Sequence, residues 1–111
     1  MYEQAAGFYL EQQGYEIVEW NYRCPLGEID LIAKEGAVLV FCEVKYRRNQ
    51  DCGSAAEAVD RKKQKKIWRT ALQYLTVHGI ETVPCRFDVV SIEDGKISVI
   101  KNAFEGESSW I

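Results

Sequence analysis

The sequence predicts an α/β fold on three observations. Two stretches, 3–13 and 60–77, space their apolar residues as helices do, and the runs between and after them are rich in β-branched and aromatic residues. Ala37 to Cys42 is apolar at six consecutive positions, the pattern of a central strand covered on both faces. The 111 residues suit one domain over 1–111, large enough to bury roughly 65% of the surface its unfolded chain exposes. No repeat, linker or low-complexity segment divides it.

Glu3 to Gln13 places Ala6, Tyr9 and Leu10 on one stripe, and Gly14 ends the helix in the position glycine favours. Tyr15 to Tyr22 reads as a strand around Ile17 to Trp20, closed by Pro25 and Gly27. Glu28 to Ala33 and Ala37 to Tyr46 flank Lys-Glu-Gly and form a hairpin. Arg47 to Gly53 is a polar loop. Ser54 and Glu57 fit a capping box for a helical turn over Ala55 to Val59, and Asp60 can cap a longer helix ending near Val77. In that helix Ile67, Ala71, Leu72 and Leu75 form the apolar stripe, whereas 61–66 is polar on every side and must meet solvent or a partner. Arg86 to Ile92 and Lys96 to Ile100 form a last hairpin around Glu93-Asp94-Gly95.

The 14 Lys and Arg against 17 Asp and Glu give a net charge of −3, but the charge is polarised. Residues 45–69 hold nine cations and three anions, so this stretch is +6 and the remainder −9: a basic element on an acidic body. The longest apolar run is far below the roughly 18 residues of a membrane span, so no membrane partner is expected. The start, Met-Tyr-Glu-Gln, lacks the basic and apolar regions of a secretory signal. Four cysteines stand 18, 10 and 33 residues apart without a Cys-x-x-Cys pair, beside a single histidine. That argues against zinc and against Ser-His or Cys-His catalysis, and fits reduced thiols in a cytoplasmic protein.

The chemistry lies on the central hairpin. Gly27-Glu-Ile-Asp30 is followed thirteen residues after its aspartate by Glu43-Val-Lys45. Residues two apart on a strand share a face. With Lys34 paired to Ala37, Glu28 falls opposite Glu43 and Asp30 opposite Phe41, which makes Asp30 and Glu43 diagonal neighbours about 7–8 Å apart. Two carboxylates this close repel unless a cation offsets them, and a hard divalent ion suits them because it prefers oxygen ligands. Lys45 on the same face can orient an attacking water and offset charge developing on phosphorus. The layout is that of a phosphodiester hydrolase, although Glu-x-Lys on a strand also reads as an ordinary salt-bridged face.

The basic helix supplies a separate argument. A helix N-terminus favours anions, yet Arg61, Lys62, Lys63, Lys65 and Lys66 crowd its first turns, an arrangement relieved by a bound polyanion such as a nucleic-acid backbone. A solvated, solubilising face is the plainer alternative. Arg47 and Arg48, in the loop after the strand, extend the basic set to Arg47, Arg48, Arg61, Lys62, Lys63, Gln64 and Lys66.

At these residues the chain closely resembles the YraN-like family of bacterial proteins, which have a restriction-endonuclease-like fold, the PD-(D/E)XK class, and are similar to archaeal Holliday-junction resolvases. The matching segments are Glu-Gln-Ala-Ala in the first helix, Asn21-Tyr-Arg23, Gly27-Glu-Ile-Asp-Leu-Ile-Ala33, Val40-Phe-Cys-Glu-Val-Lys45, Glu57-Ala-Val59, Lys63-Gln64, Arg86-Phe-Asp-Val-Val90 and Asn102-Ala-Phe104. The resemblance implies a three-layer fold, a central mixed sheet flanked by helices, with core order helix, three strands, helix, strand. It implies Asp30 and Glu43 as Mg²⁺ or Mn²⁺ ligands, Lys45 as the catalytic lysine, Glu3 as a first-helix acid supporting the metal, and Lys63 and Gln64 as a polar pair facing the site. Two-fold dimers, as in the resolvases, are a further implication. Only Met1 and Tyr2 precede Glu3, where family members usually carry more residues, and Cys42 replaces a more usual aliphatic residue, with its side chain expected to point away from the Glu43 face as a small hydrophobe.

The leading expectation is a metal-dependent DNA endonuclease, with branched or damaged DNA as candidate substrates. The alternatives are a non-catalytic nucleic-acid-binding module of the same fold and a protein-interaction adaptor whose basic helix docks on an acidic partner.

Overall fold

The structure is a computed structural model and describes residues 2–47 and 59–110. Helix α1 (Tyr2–Gln12) leads into strands β1 (Glu16–Cys24), β2 (Gly27–Glu35) and β3 (Val38–Arg47). Helix α2 (Arg61–Val77), strands β4 (Cys85–Glu93) and β5 (Lys96–Phe104), and a 3₁₀ turn at Ser108–Trp110 follow. The strands form one sheet in chain order, antiparallel throughout except where β3 runs parallel to β4. A parallel pair needs a crossover, and α2 lies in that connection. The order of elements is the one expected from the sequence, the last hairpin of β4 and β5 included. The helical turn expected over Ala55 to Val59 lies, but for Val59, outside the described residues.

Apolar side chains alternate along β3 and divide the core in two. Leu39 and Phe41 pack with Ile32, Ile67, Ala71 and Tyr74 beneath α2, whereas Val40 and Cys42 pack with Ala6, Leu10, Leu31 and Val90 beneath α1. This is the three-layer α/β arrangement. Cys42 is fully buried on the α1 side, away from the Glu43 face as expected, and burial pushes its thiol pKa up.

Both helices stop as the sequence foretells. Gly14, at φ 96°, lets Tyr15 N–H reach Leu10 C=O at 2.9 Å while Gly14 N–H reaches Glu11 C=O, a Schellman ending that buries Tyr15 against Leu10. At the start of α2 the Asp60 carboxylate accepts the Lys63 N–H at 2.8 Å, so the expected cap is present.

The hairpin register differs from the expected one by two residues. Glu35 pairs with Val38, leaving Gly36 and Ala37 as a two-residue loop, whereas the sequence pattern puts the turn at Glu35-Gly36. Gly36 has φ 60° and Ala37 is not in the left-handed region, the pattern of a turn with glycine at its first central position. The ladder then pairs Ile32 with Phe41 and Leu31 with Cys42. Continued by one step it sets Asp30 directly opposite Glu43, not diagonal to it.

β5 also runs past its expected end at Ile100 to Phe104, carrying an irregularity where Phe87 pairs with Phe104 and Val89 with Ile100. Asp88 sits at this point and is fully buried. Its carboxylate accepts Asn102 N–H at 2.9 Å, Tyr15 O–H at 2.8 Å and two N–H groups of Arg86 at 2.8 and 2.9 Å. Arg86 also reaches Glu35, which in turn holds Lys101 at 2.7 Å. The network fastens α1, the β2 hairpin and β5 to the buried strand β4. These bonds hold the Arg86 pKa above its ordinary value, whereas burial, together with the neighbouring Asp88, raises that of Tyr15.

Candidate active site

The β2–β3 ladder ends at Leu31 and Cys42 because a side chain takes over. Val44 N–H is accepted by the Asp30 carboxylate at 2.8 Å. This bond fixes Asp30 between the two strands, against Glu43, whose side chain is only 7% exposed. Burial, and then the charge of Glu43, push the Asp30 pKa up to about 7, against the lowering effect of Val44 N–H, and a hydrogen bond joins the two carboxyls. Two acids thus stand together where a divalent cation would offset their repulsion.

Two ammonium groups converge on Glu43. Lys45 Nζ lies 3.6 Å from Oε2, and Lys63 Nζ, arriving from the first turn of α2, lies 3.5 Å from the same oxygen. Both lysines keep partial contact with solvent, 31% and 40% of their side chains, so they can meet a ligand arriving from outside. The donor set fits a hard divalent ion: carboxylate oxygens, held close, with cations able to face a phosphate. Among the described residues no three His, Cys, Asp or Glu side chains gather to hold a metal unaided, so such an ion would keep water and substrate oxygens in its shell.

The expected residues are only partly brought together. Asp30, Glu43, Lys45 and Lys63 meet. Glu3 does not join them as a third ligand; its charge reaches Asp30 weakly, and its side chain lines a neighbouring groove with Gln4, Trp20 and Asn21. Glu28 turns outward and pairs with Arg23 at 3.1 Å. Gln64 donates to the Val59 carbonyl at 2.8 Å, bracing the entry to α2. Arg61 is drawn to Glu107 and lies over the Trp110 ring, while Lys62 is exposed. Lys66 and Lys63 line an open cleft of about 360 Å³ with Arg23, Glu28 and Gly27. Arg48 and the Arg47 side chain lie outside the described residues.

The Uncharacterised protein family UPF0102 matches residues 2–92, which span α1 through all but the last residue of β4 and contain every one of the converging side chains. The chain belongs to the UPF0102 family. The UPF0102 protein of Lachnoclostridium phytofermentans is 50% identical over 108 residues, covering 96% of this chain and 92% of that one. The Symbiobacterium thermophilum UPF0102 protein STH1475 is 49% identical over 107 residues, with 92% and 91% covered, and a Shewanella loihica UPF0102 protein is 45% identical over 102 residues, with 92% and 89% covered. In each case the match covers most of both chains. None of the described helices is long and apolar enough to cross a membrane.

Sequence reasoning missed the Asp88 network. Its signal is present in the sequence: an acid enclosed by Phe87 and Val89-Val90, as Glu43 is by Cys42 and Val44.

Proposed function

We propose that this UPF0102 protein is a divalent-metal-dependent endonuclease that hydrolyses DNA phosphodiester bonds. The observation that carries the reading is the meeting of Asp30 and Glu43 at the point where β2 and β3 part, with Lys45 and Lys63 both on Glu43. An inert ion-paired face has no use for two partly buried carboxyls set against each other.

Asp30 and Glu43 would hold Mg²⁺ or Mn²⁺, which supplies a lowered pKa to bound water and draws charge from the phosphoryl oxygens. Val44 N–H keeps Asp30 aimed at Glu43 and out of the solvent. Lys45 is placed to orient the water that attacks phosphorus, and Lys63 to hold the non-bridging oxygens as negative charge grows on them. The water's oxygen would form the new P–O bond and give up its proton to solvent, while the departing sugar oxygen leaves with the electron pair of the old bond and takes a proton from solvent. Lys66 and Arg23, lining the adjoining cleft, supply cations for the flanking backbone.

The test compares nicking of forked and linear duplexes by wild type and Asp30→Ala with Mg²⁺, Mn²⁺ or EDTA. Wild type is expected to cleave only with metal, and the variant at least 100-fold more slowly. Identical traces with and without metal on every substrate refute the proposal.

A further inference from the structure

Beside the carboxylates, a groove of about 410 Å³ opens between the start of α1 and β1, lined by Glu3, Gln4, Trp20 and Asn21. Two features set it apart from a chance surface hollow. Gly7 of α1 rests directly on the Trp20 indole, and any side chain there would collide with the ring, so the helix fixes the indole in place. Trp20 remains 45% exposed, so the part of the ring that Gly7 does not cover is open to a ligand. Asn21, next along the strand, has φ 48°, a left-handed conformation inside β1.

The groove is next to the candidate chemistry. β1 pairs Trp20 with Leu31 and Tyr22 with Ile29, which puts Asn21 across from Asp30 in the register. Glu3 forms part of the lining and its charge is felt at Asp30. A fixed indole with carboxamide and carboxylate groups around it matches one chemical class: a planar heterocycle carrying donors and acceptors on its edge. An unpaired nucleobase stacks on such a ring and bonds through its exposed edge, which a base inside a duplex cannot offer.

We propose that this groove receives an unpaired nucleobase adjoining the phosphate addressed by Asp30 and Glu43, which makes forked, flapped or otherwise branched DNA the preferred substrate class. This rests on the nuclease reading for its biological sense, but the binding it asserts is separable from cleavage. Trp20 and Asn21 act as binding residues. Neither takes part in the hydrolytic step.

The experiment measures binding of the full chain, in EDTA, to a forked duplex carrying 2-aminopurine at the first unpaired position and to a blunt duplex of the same length. Wild type is expected to bind the fork at least 10-fold more tightly and to quench the probe. Trp20→Ala is expected to lose about 10-fold or more of fork affinity, the scale of one base–aromatic stack of ~1–3 kcal/mol, with blunt-duplex binding unchanged. Trp20→Phe should restore most of it. Asn21→Gly suits the left-handed backbone and so keeps the fold, and is expected to weaken fork binding by a smaller, several-fold factor. Equal affinity of wild type for fork and blunt duplex, absence of any DNA binding, or fork binding unaltered in both Trp20→Ala and Asn21→Gly overturns the inference. Fork preference without cleavage in any metal overturns the nuclease reading alone, and metal-dependent cleavage with unaltered fork binding in both variants overturns the groove alone.

Discussion

Replacing Asp30 by Asn should make the metal-free protein more stable at pH 8, an unusual outcome for a partly buried charged position. The Asp30 pKa is pushed up to about 7 from an ordinary 3.8, first by burial and then by Glu43. The folded state thus binds this proton more tightly than the unfolded chain does, so stability is fully present below about pH 4 and is lost as pH rises through 7. Three pKa units at about 1.4 kcal/mol each set a ceiling near 4 kcal/mol; with partial solvent contact about half of that is the expected effect. Asn keeps an oxygen to accept Val44 N–H and gains an N–H₂ that can donate to Glu43, so it relieves the repulsion without orphaning either partner. Thermal unfolding in EDTA should show the two proteins nearly equal at pH 4 and Asp30→Asn ahead by ~2 kcal/mol at pH 8, about 8 °C for a chain of this size. Added Mg²⁺ should raise wild type at pH 8 and leave the variant where it was. A gap independent of pH, or a variant less stable than wild type at pH 8, would refute the reasoning.

The other predictions concern separate parts of the molecule. Asp88→Asn strips Arg86 of its buried partner and should cost about 3 kcal/mol or more in urea unfolding, while Tyr15→Phe, which removes one donor to the same carboxylate, should cost about 1–2 kcal/mol. Asp60→Ala deletes the cap on Lys63 N–H and should lower stability by about 1 kcal/mol; because Lys63 sits in that first turn, DNA binding should weaken with it. Lys63→Glu should reduce DNA affinity and lower the slope of log affinity against log salt by about one, measured by anisotropy across a salt series. An unchanged slope would remove Lys63 from the phosphate contacts.

The elements were legible because their ends are written in chemistry: Gly14 beyond the first helix, Asp60 before the second, Asp94-Gly95 in the last hairpin. The hairpin register was not. Glycine serves either central position of a two-residue turn, and choosing the wrong one in Glu35-Gly36-Ala37 slid the pairing by two residues. A shift of two keeps every side chain on its face, so the right residues were selected with the wrong partners: Asp30 faces Glu43 and not Phe41. The placement of Glu3 was also beyond reach, since it depends on how α1 lies on the sheet, where Gly7 meets Trp20, a packing contact that no periodicity announces. The two buried acids make the sharpest contrast. Glu43 and Asp88 sit in similar apolar strands and look alike in sequence, yet Asp88 is met by four short donors and is structurally complete. Glu43 has ammonium groups at 3.5 and 3.6 Å and a second carboxyl beside it. Buried polar groups in a finished core are satisfied, and the two acids are satisfied differently: Asp88 by four hydrogen-bond donors, Glu43 by two ion pairs in competition with a neighbouring carboxyl. What separates the two carboxylates is which groups the rest of the chain delivers to them.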